Sequence, residues 1–431
     1  MPEDTEVNEG QTEELLHGVA TAKKQAHVRR VFIRTVEQKA VLTVGALGAL
    51  YSPFTSGKPA VRIEVCTDDD IKRLHDDKSV EVFEDFRLEP LAPWWLHRSS
   101  ELKLMAPAVW QSKTQRDVLE HIRAPKAWET TKGKGVTIAV VDTGVDASTA
   151  FVNRSNQSFC PLPDAKPWID PVGHGTMCAS IACAPATAKY AGVAPEATLL
   201  SARAYDPIGE TFMASDLYLV YRHLIDRKRN GAFPGGLVVS NSFGHDVCQP
   251  PAFDDGKTIP EAHPFVGLVR DCIQEGIVFV FAAGNAHASL QCRNPVNACG
   301  PNTIWATNSI DEVIAVGTVN WDETNQTNGV HSNSSRGPGY WSKRKDKPDV
   351  VAPTYGEVAW GSSYEAMEWW GTSGAAPQVA GLAALMLAKK PDLTPAQILQ
   401  AVRASARALP KGDATCVGAG IIDCENALKM L

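Results

Sequence analysis

Four residues in this sequence have side chains suited to breaking an acyl bond. Asp142, His174 and Ser373 supply an acid, a base and a hydroxyl nucleophile, and Asn285 supplies a neutral donor for an oxyanion. Each has a plainer reading when taken alone. Asp142 ends the apolar run 136–141 and begins Asp-Thr-Gly, a triplet that also opens aspartic-protease sites. That chemistry needs two carboxylates sharing a proton, and the sequence has no second such triplet. His174 lies between Gly173 and Gly175 at the start of a helical run, where a structural histidine would also fit. Ser373 follows Gly371-Thr372 and opens the apolar helix 374–387, with Pro377 placed in its first turn. Its hydroxyl then sits at the positive end of a helix dipole, although Thr372 or Ser373 could simply cap the helix. Asn285 closes Phe279-Val-Phe-Ala-Ala-Gly and would otherwise be a turn asparagine.

All four fall at the ends of regular elements, where an α/β fold gathers its cleft. The predicted strands are 136–141, 198–202, 237–240, 277–282 and 313–316, each an apolar run of the kind buried on both faces. They alternate with predicted helices at 175–182, 215–229, 266–275, 373–389 and 395–404, so the fold class is α/β, a parallel sheet flanked by helices. Ahead of it, residues 28–90 read as a small α+β domain: strand character at 31–36, period-two alternation at 61–66, a helix capped by Thr67, then strand character at 80–83. Residues 1–27 read as a polar tail. Residues 91–119 read as a linker, with 119–128 helical at the entry to the large domain 120–431.

With 42 basic and 49 acidic residues the chain carries a net charge of −7, which speaks against a nucleic-acid-binding surface. The longest apolar window, 40–51, is too short to span a bilayer, so no membrane anchor is expected. Residues 1–11 are acidic and lack the pattern of an export signal, which predicts a cytoplasmic protein, with secretion as the alternative. Four glycosylation sequons, at Asn153, Asn156, Asn325 and Asn333, matter only in the second case. Of the ten cysteines, Cys292 with Cys299 and Cys416 with Cys424 are near enough in sequence to bridge, and free thiols fit equally well.

Together the motifs resemble those of the subtilisin-like serine peptidases, or subtilases. Val141-Asp-Thr-Gly-Val, Gly173-His-Gly-Thr, Ala282-Ala-Gly-Asn and Gly371-Thr-Ser-Gly-Ala-Ala-Pro are similar to the family's blocks, in its order. Further matches include Ser240-Asn-Ser-Phe-Gly, Ser334-Ser-Arg-Gly-Pro and Lys347-Pro-Asp-Val-Val-Ala-Pro, and the likeness spans about 120–431. It implies a serine endopeptidase working through an acyl-enzyme. His174 would be the base, Asp142 its orienting partner, Ser373 the nucleophile, and Asn285 with the Ser373 N–H the oxyanion donors. His174 and Asn285 stand against the sedolisin branch, and the Gly-Thr-Ser-Gly setting stands against an esterase elbow.

The resemblance places substrate, an extended polypeptide added as a strand, near 203–215 and 240–244. The candidate substrate-binding residues are Ser240, Asn241, Ser242, Phe243, Gly244 and Gly284. The domain 28–90 is similar to a family propeptide, which implies a self-inhibited zymogen cut somewhere in 85–115. A catalytically silent peptide-binding protein with a plugged cleft is the alternative. No cofactor is required, calcium is common in the family but no ligand set is apparent here, and a monomer is expected. Cys178 is similar to a packed free cysteine of proteinase K-like members.

Three features depart from the family pattern. Gly374 stands where Met is usual and Gln378 where His is usual. The edge 206–213 is not Gly/Ser-rich, and inserts at 244–263 and 286–304 follow the expected pocket wall and Asn285, pointing to a narrow preference. Trp369 and Trp370 are expected in the core.

Overall fold

Side chains two apart in a strand share a face, and the strands here carry apolar residues on both faces, so the sheet must be covered on both sides. The computed structural model describes residues 28–35, 61–91, 112–148, 153–245, 248, 259–289, 292–296, 298–320, 329–344, 346–409 and 412–431. The expected tail 1–27, the sequon at Asn325 and most of the linker lie outside them.

The N-terminal unit consists of β1 (Val28–Thr35), β2 (Val61–Thr67), α1 (Asp68–Asp76) and β3 (Val80–Glu84), with β1 central in an antiparallel sheet ordered β2-β1-β3. Thr67 and Asp70 form a reciprocal capping box at the start of α1. Val31 and Ile33 face α1 with Ile71 and Leu74, while Phe32 and Ile63 turn the other way, onto the large domain. The chain then leaves this sheet as β4 (Arg87–Pro90). Residues 87–91 were expected to close one domain and begin a linker. Instead they form a strand of another sheet, because Leu88 and Leu91 find apolar cover only on the large domain.

The large domain opens with α2 (Gln115–His121) and α3 (Ala124–Ala127), a break within the single helix expected over 119–128, where Arg123 adopts φ 58°. There follow β5 (Thr137–Asp142), α4 (His174–Cys183), β6 (Thr198–Arg203), β7 (Tyr205–Asp206), β8 (Thr211–Met213), α5 (Ala214–Arg229), β9 (Leu237–Asn241), β10 (Phe243–Gly244), α6 (Pro264–Gln274) and β11 (Val278–Ala282). The chain continues through β12 (Ile314–Val319), β13 (Val350–Pro353), the hairpin β14 (Gly356–Trp360) and β15 (Ser363–Met367), α7 (Gly371–Lys389), α8 (Pro395–Ser405), α9 (Ala414–Val417) and α10 (Cys424–Lys429).

Six strands form a parallel sheet ordered β13-β12-β11-β9-β5-β6. Chain order reverses at β5, flanked by β6 on one side and β9 on the other, and such a switch point leaves a crevice beyond the strand ends. Asp142 is the last residue of β5. Ile138 and Val140 pack with α4 and α7 on one face, and Ala139 and Val141 pack with α5 and α6 on the other. All ten residues of α4 are buried, as are nearly all of α7, so these two helices sit inside the domain and pack on each other. Trp369 and Trp370 are buried just ahead of α7.

Helix α7 begins at Gly371, which moves Pro377 out of the first turn and into the second. Two disulfides are present, Cys248–Cys292 and Cys299–Cys416, and Cys424 is a buried free thiol. The sequence-near pairings Cys292–Cys299 and Cys416–Cys424 are therefore replaced by links between segments 44 and 117 residues apart. No helix among the described residues is long and apolar enough to cross a membrane.

Candidate active site

Asp142 and His174 meet at the end of β5 and the start of α4. His174 Nδ1 is 2.7 Å from Asp142 Oδ1, with both side chains sealed from solvent. Asp142 Oδ1 also accepts the Thr143 N–H at 2.7 Å. A residue not singled out from the sequence, Asp170, locks these two loops together. Its Oδ1 accepts from the Thr143 hydroxyl (2.7 Å) and the Gly173 N–H (2.8 Å), and its Oδ2 accepts from the Thr176 N–H (2.8 Å) and hydroxyl (2.7 Å). A carboxylate bound to the exposed N–H groups of a helix start is well placed against the helix dipole. Burial alone would pull the His174 pKa down, but the charge and hydrogen bond of Asp142, with the charge of Asp170 behind them, outweigh it and hold the imidazole above its ordinary value of 6.5.

Ser373 lies in the first turn of α7, facing α4. Pro377 has no N–H to give to the carbonyl four residues earlier, which is that of Ser373. That oxygen is satisfied from outside the helix, by Ser242 Oγ at 3.1 Å and Cys178 Sγ at 3.5 Å. The Cys178 sulfur is also 4.0 Å from His174 Nδ1, so this thiol is wedged between the two helices. Burial and the Asp142 charge push its pKa well above 9.0, making it an inert packed thiol. Gly374 packs so closely on Trp370 that a Cβ there would come within 2.7 Å of the Trp370 Cβ, so the family's usual Met would fit only if Trp370 shifted. Gln378 donates to the carbonyls of Pro353 (2.7 Å) and Gly374 (2.9 Å), bracing α7 from behind.

Asn285 follows β11. Its Oδ1 accepts from the Thr372 N–H at 3.0 Å and the Thr372 hydroxyl at 2.9 Å, which fixes the amide so that Nδ2 faces outward. What Nδ2 meets is the carbonyl oxygen of Leu91, at 2.5 Å. The Ser373 hydroxyl donates to the same oxygen at 2.6 Å, and the Leu91 N–H donates to the Ser242 carbonyl at 3.0 Å. Gly371, at φ 71°, is held to glycine twice over: by that backbone conformation, and because a Cβ there would approach the Leu91 oxygen to 2.9 Å. His174 Nε2 is buried without a hydrogen-bond partner, the hydroxyl of Ser373 being turned toward Leu91.

Residues 87–91 fill the cleft as an added strand. In a four-stranded sheet ordered β10-β4-β8-β7, Leu88 pairs with Phe212, and Pro90 and Glu89 pair with Phe243 and Gly244. Leu88 is buried among Phe212, Phe243 and Tyr205. Leu91 lies against Gly244, where an added Cβ would sit 3.3 Å from the Leu91 Cδ1. Ser242, Phe243 and Gly244 thus touch the seated strand. Ser240 and Asn241 do not: they belong to β9, and Asn241 is spent on Tyr221 (2.7 Å) and the Val280 carbonyl (3.1 Å). Gly284 contributes through its backbone, donating to Thr372 Oγ1 at 3.1 Å and so supporting the Asn285 anchor. Among the described residues the one cluster of three metal-ligating side chains is Asp142, His174 and Cys178, whose nitrogen and sulfur atoms do not suit calcium.

Comparison with known proteins agrees with this arrangement. Residues 133–420 match the Subtilase family. The chain belongs to that family. It is 30% identical to serine protease AprX of Bacillus subtilis over 328 residues, covering 70% of this chain and 67% of that protein. It is 33% identical to mycosin-1 of Mycobacterium tuberculosis over 329 residues, covering 69% of each. The crystal structure of MycP1 with its N-terminal propeptide removed matches with a TM-score of 0.55 at 26% identity, covering 72% of this chain and 96% of that one. The fold is subtilisin-like, and the chain is a subtilisin-like serine endopeptidase acting on polypeptides.

Proposed function

We propose that Asp142, His174 and Ser373 form the catalytic triad with Asn285 as oxyanion donor, and that the chain is a zymogen which cuts itself between Leu91 and Ala92. The observation that carries this is the Leu91 carbonyl, whose oxygen lies 2.6 Å from Ser373 Oγ and 2.5 Å from Asn285 Nδ2 while the Leu91 N–H is held by Ser242. A carbonyl held beside a nucleophile and an oxyanion donor is open to attack once the Ser373 hydroxyl turns from that oxygen to His174 Nε2. His174 removes the Ser373 proton as the Oγ–C bond forms and returns it to the leaving Ala92 nitrogen. Water then attacks the acyl-enzyme, and Leu91 is left as a new carboxyl terminus.

The unit 28–91 acts as the inhibitor, held by Leu88, Leu91 and the contacts of Phe32 and Phe86 with the large domain. The relative MycP1 carries an N-terminal propeptide, removed in its crystal structure, which favours the same reading here. The exported alternative also gains support, because two disulfides are the chemistry of an oxidising compartment.

The test is to incubate wild-type chain and Ser373→Ala and sequence the new N-termini. Ala92 should appear in wild type alone. A different first residue would overturn the assigned bond, and a wild type that fails to react with a fluorophosphonate probe even after limited proteolysis has cut away the N-terminal unit covering Ser373 would overturn the triad.

A further inference from the structure

The seated strand shows which side chains the cleft accepts, and one of its residues is a mismatch. Leu88 and Leu91 point into apolar cover and are almost fully buried. Between them, Glu89 is exposed. Register places it beside an acidic edge. Leu88 lies opposite Phe212 and Tyr205, so one step along each strand Glu89 lies opposite Thr211, which in turn pairs with Asp206. In antiparallel strands, residues directly opposite one another share a face. Glu89, Asp206 and the neighbouring Glu210 therefore stand on the same stretch of rim.

None of the three has a salt-bridge partner among the described residues. Asp206 is fixed in place by accepting the Ile208 N–H at 2.9 Å, and Glu210 is held in the turn at φ 50°. Their field reaches the buried Tyr205, whose phenol is raised first by burial and then by Glu210, Asp206 and Glu89. Asp216, on the next element, is raised by burial and feels Asp206 too, although Arg30 offsets it. Among the described residues no salt bridge offsets this edge, and the chain's own segment brings it a third carboxylate at Glu89, with Arg87 two residues away on the same side of the strand.

We propose that, among extended polypeptides whose apolar side chains fill the Leu88 and Leu91 positions, this cleft favours those with a lysine or arginine in the place of Glu89, two positions before the residue at the cleaved bond, facing Asp206 and Glu210. This rests on the peptidase reading of the same site. Glu89 makes segment 87–91 an occupant that fits by shape but is mismatched in charge at that one position, so a substrate with a cation there meets the rim better. The two aliphatic sites set which chains enter, and the acidic rim ranks them.

The test uses the self-processed chain, its active sites counted with a fluorophosphonate probe, and internally quenched peptides of the form Leu-Xaa-Pro-Leu-Ala with Xaa Lys, Gln or Glu. At about 20 mM salt the lysine peptide should exceed the glutamate peptide in kcat/KM by about tenfold, the gap closing as salt is raised, since exposed pairs are weak and screened. In Asp206→Asn/Glu210→Gln, where the turn can keep its hydrogen bond through the asparagine oxygen, the ratio should fall close to one. Replacing either leucine of the peptide by alanine should cost about tenfold or more. A lysine-to-glutamate ratio within twofold, or one that survives in the double variant, overturns the proposal while leaving the peptidase reading intact. Absence of both probe labelling and peptide cleavage overturns the peptidase reading itself.

Discussion

The hold of the N-terminal unit on the large domain should be nearly independent of pH across a window where two interface groups titrate, and Asp85→Asn should expose the dependence that is hidden. Asp85 accepts the Ser215 N–H at 3.0 Å and the Ser215 hydroxyl at 2.6 Å, beside the Arg30–Asp216 pair at 2.9 Å. Burial pushes its carboxyl from 3.8 up to about 6, against the pull of Ser215 and Arg30, with Asp216 adding to the rise. His263 lies edge-on to Phe32, Phe83 and Phe86, its Nε2 3.1 Å from the Glu84 carbonyl. Burial brings its imidazole from 6.5 down to about 4, eased by Glu84 and reinforced by Arg34.

When the unit leaves, both groups meet water and return toward their ordinary values. The Asp85 contribution to the hold is then complete below about 3.8 and lost as pH rises through about 6. The His263 contribution is complete above about 6.5 and lost as pH falls toward about 4. Between about 4 and 6 the slopes oppose, and docking in effect passes a proton from His263 to Asp85. In Asp85→Asn only the histidine remains, so the hold should weaken about tenfold per unit of falling pH, toward a hundredfold over the window. Dilution of the self-cut protein, with free active sites titrated at each pH and normalised to the plateau at highest dilution, measures it. A wild-type hold that changes more than about tenfold between pH 4.5 and 6, or a flat Asp85→Asn, would refute the reasoning.

Three further outcomes follow from the site. Asn285→Ala should lower kcat by about 100- to 1,000-fold with little change in KM, because its amide acts on charge that develops in the transition state; a change confined to KM would contradict this. His174 must be neutral to act as base, and its raised pKa places the acid limb of kcat/KM above 6.5 in wild type. Asp142→Asn should lower kcat about 10,000-fold and move that limb down, as a pH–rate profile of the residual activity would show. Gly374→Ala forces a Cβ to 2.7 Å from the Trp370 Cβ and should cost about 1–3 kcal/mol, read as a fall in Tm; an unchanged Tm would show that Trp370 has room to move.

The residues with local signatures were legible in the sequence. Asp142 and Asn285 close apolar runs with a glycine close by, while His174 and Ser373 follow a glycine at the start of apolar ones, and such boundaries mark strand and helix termini. Residues that act through distance were not. Asp170 joins Thr143 to Thr176 with a plain loop sequence around it, and Leu91 reaches Ser373 across 282 positions. The strand β13 was missed because it is short and ends in Pro353, a pattern that demotes a central strand. Ser240 and Asn241 were grouped with Ser242 because all three belong to one motif, yet β9 ends between them and the cleft begins only at Ser242. The disulfide partners depend on how two inserts and the C-terminal segment fold over one another, information that cysteine spacing does not carry.

Pro377 shows how a local rule becomes a property of the site. A proline inside a helix ordinarily costs about 3 kcal/mol, in part for the carbonyl it strands. Here the stranded carbonyl belongs to the nucleophile's own residue, and it collects the Ser242 hydroxyl and the Cys178 thiol. Ser242 gives its own carbonyl to the backbone of the seated strand, and Cys178 is one turn along the helix from His174. The missing N–H therefore ties the wall that holds the substrate, the helix that carries the base and the residue that carries the hydroxyl to a single oxygen. Losing the proline would restore a helical bond and give that oxygen a competing donor inside α7, loosening the contacts that register the three parts of the site against each other.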